Sequence, residues 1–347
     1  MRPLLCVIAL SAVACGKDAP PTVSPTAPAE PAAVATKPER ARSQLITERF
    51  ESAALGVAKD VTIYLPAGYD PADARRYPVF YYLHGLGGDE TNWHEGGKLD
   101  EAADKLGLEA IVVMPDGDNN FYIDSTLDTK YDACIKDGEG MFNPRQSRTK
   151  TCVKASRYET YMTKDLLEFV DGKYKTIATR EGRGIAGLSM GGFGALILAM
   201  RHPDLFSVAA SHSGLITPLY KGPYPYEKGK VSLHTSIQSV TDAYKFLGDL
   251  GTWVLGVFGG DLEIWRKHDP TLLVQKLQPG ALHLYFDCGT EDEFLFHHAT
   301  QYIHDLLLDR GIEHAFYLGP GHHTFDFWKE RLPISLAFLR DHLAKPQ

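Results

Sequence analysis

Short runs of consecutive apolar residues recur along the chain, separated by longer stretches of helical periodicity. The runs are "VTIYLP" (61–66), "YPVFYYLHG" (77–85), "AIVVMPDG" (110–117), "RGIAGLS" (183–189), "FSVAASHSG" (206–214), "ALHLYFDCG" (281–289) and "EHAFYLGPG" (313–321). Most hold four or more apolar residues in a row, the pattern of strands covered on both faces. Helical candidates lie near 159–175, 190–201, 270–278, 296–310 and 327–343. This alternation predicts an α/β architecture with a mostly parallel central sheet and helices on both faces. Two segments break the rhythm. Residues 126–157 are polar and carry two cysteines, and they read as a surface excursion. Residues 215–268, with "PLYKGPYPYEKG" and "GTWVLGVFGGDLEIW", mix aromatics and glycines and read as an irregular cap over one end of the sheet. Active-site cover and plain surface decoration both fit such a segment.

The N-terminus follows a different logic. Arg2 precedes the apolar run "LLCVIALSAVA" (4–14), an export-signal pattern too short to span a bilayer. "AVA" then Cys15 resembles a bacterial lipoprotein signal, in which that cysteine is lipidated. Ordinary cleavage after Ala14 to give a soluble secreted protein is the competing reading. Residues 15–44 follow as a Pro/Ala-rich tether that cannot bury a core. The expected organisation is a signal over 1–14, a tether over 15–44 and a domain over 45–347, exported to the cell envelope or beyond. With 347 residues, 44% of them hydrophobic, the chain can build a sizeable core. Its net charge of −8 and lack of a long basic run argue against nucleic acid as a partner. In an oxidising compartment Cys134 and Cys152 are a candidate disulfide, which leaves Cys288 a buried free thiol.

Against this background "GIAGLSMGGFGA" (184–195) stands out, one serine among five glycines. Gly187-Leu188-Ser189-Met190-Gly191 fits G-x-S-x-G, in which the serine sits on a strained strand-to-helix turn with its hydroxyl exposed. The stretch lacks the G-x-G-x-x-G of a dinucleotide loop and the Gly-Lys-Ser/Thr of a phosphate loop. A serine needs a base, and in this chain order an acid and then a histidine follow it. The last apolar run ends "GPGHHTFDFW" (319–328), which offers His322 and His323; His323 is favoured because Thr324-Phe325 follow it and Trp328 closes the site. The preceding run ends "YFDCGTEDEFLF" (285–296), where Asp287, Glu291, Asp292 and Glu293 compete. Asp292 is preferred by its place in the loop before a helix, with Asp287 next. The loop "HGLGG" (84–88) supplies Leu86 N–H as one oxyanion donor and Met190 N–H as the other. No metal or organic cofactor is called for.

"YYLHGLGG", "FYIDS", "YETY", "GLSMGGFGA", "HPDLF", "DCGTEDEFL" and "GHHTF" occur in an order that resembles the esterase D and antigen 85-type family of α/β-hydrolases. The resemblance spans roughly residues 45–343. It implies the α/β-hydrolase fold and a Ser189–His323–Asp292 triad with Leu86 and Met190 as oxyanion donors. Feruloyl and acetyl-xylan esterases, S-formylglutathione hydrolases and mycolyltransferases belong to that family. The expected activity is hydrolysis of a small-molecule or carbohydrate-linked ester, with acyl transfer of the mycolyltransferase type or an inactive binding module as alternatives.

Overall fold

The apolar runs fold as strands of one eight-stranded sheet. Its strands are β1 (Gln44–Ser52), β2 (Val57–Leu65), β3 (Val79–Leu83), β4 (Ile111–Pro115), β5 (Arg183–Leu188), β6 (Val208–His212), β9 (His283–Gly289) and β10 (His314–Gly319). The spatial order is β1-β2-β4-β3-β5-β6-β9-β10. Strands β7 (Tyr220–Gly222) and β8 (Ser232–Leu233) form a separate small hairpin. In this computed structural model the described residues are 42–125, 127–144 and 146–347; the signal over 1–14, Cys15 and the tether up to residue 41 lie outside them.

Pairing is parallel from β4 through β10 and antiparallel where β2 meets β1 and β4. Alternate residues of the central strands feed two cores. Val79, Tyr81 and Leu83 join the core built with α2 (Leu166–Lys173), α3 (Met190–Arg201) and α6 (Phe296–Asp309). Phe80 and Tyr82 join the core built with α1 (Leu99–Leu106) and α7 (Phe325–His342). That period of two sends apolar side chains of the central strands to both faces, each covered by helices.

The register places the functional loops at one edge of the sheet. Leu83 pairs with Gly187, Leu188 with His212, His212 with Asp287, and Gly289 with Gly319. The segments that follow β3, β5, β9 and β10 therefore emerge side by side at the carboxyl ends of the strands, where ligands bind in open α/β sheets.

Several elements differ from expectation. The antiparallel β1 and the amphipathic α1 carry no long apolar run and escape a search for one. The helix expected over 270–278 is shorter, Pro270–Val274. The segment read as an irregular cap is largely helical: after the β7–β8 hairpin come α4 (Ile237–Lys245), α5 (Gly248–Phe258) and a short helix over Leu262–Lys267. Its glycines mark ends and close approaches rather than disorder. Gly248 (φ +64°) opens α5 and Gly259 (φ +74°) follows it, both in positive-φ conformations, and a Cβ on Gly251 would lie 1.6 Å from Tyr244 O. The polar excursion carries a helix over Tyr131–Asp137, and the Cys134–Cys152 disulfide fastens it, Cα to Cα 5.7 Å. Cys288 is a buried free thiol.

Candidate active site

Ser189 sits between β5 and α3 with φ 53° and ψ −117°, a conformation that non-glycine residues rarely adopt. The surrounding glycines are a steric requirement of that bend. A Cβ on Gly187 would lie 2.3 Å from the Gly191 carbonyl, and one on Gly191 would lie 2.3 Å from Leu83 O. The bend is held by Ser189 N–H on His212 O (2.8 Å) and by Phe193 N–H on Ser189 O (3.1 Å). Met190 opens α3, so its N–H has no intrahelical acceptor.

The loop after β3 is held from behind. His84 Nε2 accepts from Gly117 N–H (2.9 Å), so the proton lies on Nδ1, which donates to Gly85 O (2.8 Å). In a trans peptide the C=O and the next N–H point in opposite directions. Turning Gly85 O toward His84 therefore turns Leu86 N–H away from it, and Leu86 lines the cavity beside Ser189. Gly87 N–H is used by Asn119 Oδ1 (2.6 Å) and Gly88 N–H by Gly85 O (3.0 Å). Leu86 N–H and Met190 N–H have no protein acceptor among the described residues.

Beneath this loop lies a buried charged cluster. Lys59 Nζ contacts Asp116 (2.7 Å), Asp118 (2.8 Å) and the carbonyl of Lys150 (2.7 Å), and is wholly enclosed. Burial opposes ionisation of both aspartates. Lys59 nonetheless holds Asp116 well below the usual carboxylate range, whereas burial and the Asp116 charge push Asp118 up to about 7. The cluster ties β2, the segment after β4 and the disulfide-bearing excursion into one support.

The loops that carry Asp292 and His323 meet at the cavity that Ser189 also lines. His323 Nδ1 lies 2.7 Å from Asp292 Oδ2; the carboxylate accepts, so Nε2 carries the free lone pair. Asp292 is fully buried; its Oδ1 accepts Phe294 N–H (2.9 Å), and Cys288 Sγ lies 3.6 Å from Oδ2. Burial pushes the Cys288 thiol well up, so it stays protonated. The two loops are bonded directly to each other, Thr290 N–H to Gly319 O (2.8 Å) and Glu291 N–H to Gly321 O (3.0 Å). A Cβ on Gly289 would sit 2.1 Å from Gly321 O. Phe294, Phe296 and Trp328 set their rings edge-on around His323, at 4.8, 5.4 and 5.0 Å.

The other candidates are engaged elsewhere. His322 is exposed and faces Glu293 (2.8 Å) and Glu291 (3.6 Å), so the adjacent imidazoles serve different partners. Glu293 also accepts His323 N–H (3.0 Å), and these bonds hold its carboxyl below the usual range. Asp287, the competing acid, is buried within the sheet. It accepts from His212 Nδ1 (2.8 Å) and Tyr285 OH (2.7 Å), with Arg331 Nε 3.5 Å away. His212 Nε2 is closed off by Ser335 Oγ at 2.8 Å. The sequence reading did not single out this second His–Asp pair; its only signal was a histidine inside an apolar strand.

Ser189, Leu86, Met190 and His323 line one cavity of about 730 Å³, a usual size for a small-molecule site. Phe121, Phe294, Phe296 and Trp328 give it apolar walls, and Tyr220, His234, Tyr244, Leu250 and Val254 roof it from the cap segment. Among the described contacts Ser189 Oγ makes no hydrogen bond to His323. In ligand-free sites such bonds are often long and close only around a substrate.

A doubly covered parallel sheet, a serine on a strained turn after the central strand and loops gathered at the strand ends define the α/β-hydrolase fold. The chain belongs to the family described as Putative esterase, whose model matches residues 52–339. It is similar to an esterase of Mycobacterium tuberculosis, 31% identical over 166 residues, which are 48% of this chain and 31% of that one. It thus spans under a third of that relative's length. An acetyl esterase of Caldicellulosiruptor saccharolyticus is 25% identical over 272 residues, 77% of this chain and 85% of that protein. Among solved structures a ferulic acid esterase superposes with a TM-score of 0.61 at 22% identity, over 87% of this chain and 100% of that one.

Proposed function

We propose that this chain is a serine carboxylic-ester hydrolase with Ser189 as nucleophile, His323 as base and Asp292 as the acid that orients it. The observation that supports this most is the imidazole fixed by a buried carboxylate on the wall of the cavity that also holds Ser189. Asp292 fixes the proton on Nδ1, so Nε2 can take the Ser189 proton as Oγ attacks the ester carbonyl. The carbonyl oxygen becomes an oxyanion, to which Leu86 N–H and Met190 N–H donate; one such donor contributes roughly 10²–10³ in kcat. Collapse of this intermediate breaks the bond to the alcohol, which leaves with the proton from His323. Water then attacks the acyl-enzyme and gives its proton to the same nitrogen; collapse breaks the acyl–Oγ bond, releases the acid and returns that proton to Ser189.

Ser189→Ala tests the assignment on p-nitrophenyl acetate and butyrate. Hydrolysis should fall to background with the melting temperature retained, and retained hydrolysis rejects Ser189 as nucleophile. We also propose export with Cys15 as a lipid anchor, a reading supported by the apolar run before it and by the disulfide, which suits an oxidising compartment. Cys15→Ser should move the protein from the membrane fraction to the soluble one; a wild-type protein that is already soluble refutes the anchor.

A further inference from the structure

The cap supplies most of the cavity's roof, and its polar side chains there are nearly all committed to the protein. Tyr220 OH donates to Pro223 O (2.8 Å), Tyr244 OH donates to Pro218 O (2.9 Å), and the Thr217 hydroxyl donates to buried Asp269. His234 is different. It lies just past β8 with its backbone N–H on Leu219 O (2.8 Å), and only 9% of it is exposed. Its Nδ1 is fixed at 2.6 Å from Ser239 Oγ on α4, while Nε2 has no protein partner among the described residues. His234 is one of the residues that line the cavity. A largely buried imidazole on an apolar cavity's wall, with one nitrogen anchored and the other without a protein partner, is suited to receive a polar atom.

We propose that His234 is a substrate-positioning residue whose Nε2 hydrogen-bonds a hydroxyl group carried on an otherwise apolar arm of the ester. This inference rests on the esterase reading of the same cavity. The hydroxyl follows from the anchor. Ser239 Oγ can donate to Nδ1 or accept from it, so Nε2 is a donor in one tautomer and an acceptor in the other. A hydroxyl satisfies both, whereas a carbonyl or ether satisfies one. Burial, with Lys221 nearby, holds the imidazole below its usual range, so it meets the ligand uncharged.

The arm can belong to the acyl or the alcohol part, and matched substrate series separate the two. One series sets p-nitrophenyl esters of n-alkanoic acids against their ω-hydroxy counterparts of increasing length. The other sets n-alkyl acetates against the mono-acetates of α,ω-alkanediols, followed by acid release. In one series the wild type should prefer the hydroxylated member by about tenfold in kcat/KM, the effect of one neutral hydrogen bond to a buried group. His234→Phe should bring that ratio close to one, and His234→Gln, which keeps a donor and an acceptor, should restore part of it. A purely structural role would scale both members of a pair alike and leave the ratio unchanged. No preference in either wild-type series, or a preference that survives in a folded His234→Phe protein, overturns the proposal. Ser189→Ala run on the same substrates keeps the two ideas apart. If it remains active the Ser189 assignment fails; if it is dead and the ratio ignores His234, only this inference fails.

Discussion

Two buried histidine–aspartate pairs lie close together in the fold, and the same isosteric change should affect them in opposite ways. In Asp292→Asn the amide oxygen can still accept Phe294 N–H, now 2.9 Å from Oδ1, so the loop stays anchored and stability should change by less than about 1 kcal/mol. The amide NH₂ now faces His323 Nδ1 and donates to it. That moves the imidazole proton to Nε2, the nitrogen that the proposed mechanism needs empty to receive the Ser189 proton. A wrong tautomer of this kind costs roughly 10⁴ in kcat, or about 5 kcal/mol of transition-state stabilisation. Asp287→Asn instead removes the charge that His212, Tyr285 and Arg331 share inside the sheet. Breaking such a buried set costs about 3 kcal/mol. Spread over some 300 folded residues at roughly 2 cal/mol/K each, that lowers the melting temperature by about 5 °C. Its kcat, measured well below the melting temperature, should stay within about threefold of wild type, a change of under 1 kcal/mol in barrier. Steady-state kinetics and differential scanning calorimetry on both variants decide the matter. The reasoning is refuted if Asp292→Asn keeps more than a tenth of kcat, or if folded Asp287→Asn loses as much as Asp292→Asn.

Two further outcomes are expected. Gly187→Ala would place a methyl group 2.3 Å from the Gly191 carbonyl, a backbone clash that no rotamer relieves, and should destabilise the fold by on the order of 3 kcal/mol or abolish soluble expression; an unchanged melting temperature contradicts the tight bend. Burial raises the Asp269 carboxyl from 3.8 to about 6, so the folded chain holds a proton that the unfolded chain has already released. The stabilisation from that proton is complete below about pH 4 and lost by pH 6. Asp269→Asn cannot ionise, so its stability relative to wild type should rise by about 3 kcal/mol from pH 4 to pH 7 in urea titrations; a difference independent of pH rejects the assignment.

The parts of the fold readable from sequence are those where burial on both sides forces uninterrupted apolar runs. Every run read as a strand is one, because a strand buried on both faces has no polar face to show, whether parallel as in β3–β10 of the large sheet or antiparallel as in β2. The β1 strand, "QLITERFES", has only one buried partner face and alternates, so it offers no such run. The cap failed for another reason. Its glycines look like helix breakers in a linear reading, yet Gly251 is small because Tyr244 O passes over it. The serine turn is legible since both flanking glycines answer a local clash; Asp292 and His323, read from their places after β9 and β10, stand 2.7 Å apart there, and their roles are a proposal. What composition could not tell apart was the pair of aspartates on one strand and its loop, Asp287 and Asp292. Only the register that sets His212 beside Asp287 explains why the first is occupied within the sheet.

The bonds that join the Asp292 and His323 loops to each other have no counterpart linking either loop's backbone to Ser189. Acid and imidazole therefore behave as one stiff jaw, and the serine turn, wedged by its glycines, as the opposing anvil. Breathing between β6 and β9 would leave the inner geometry of the jaw intact and alter a single gap, the one that the proposed proton transfer has to cross.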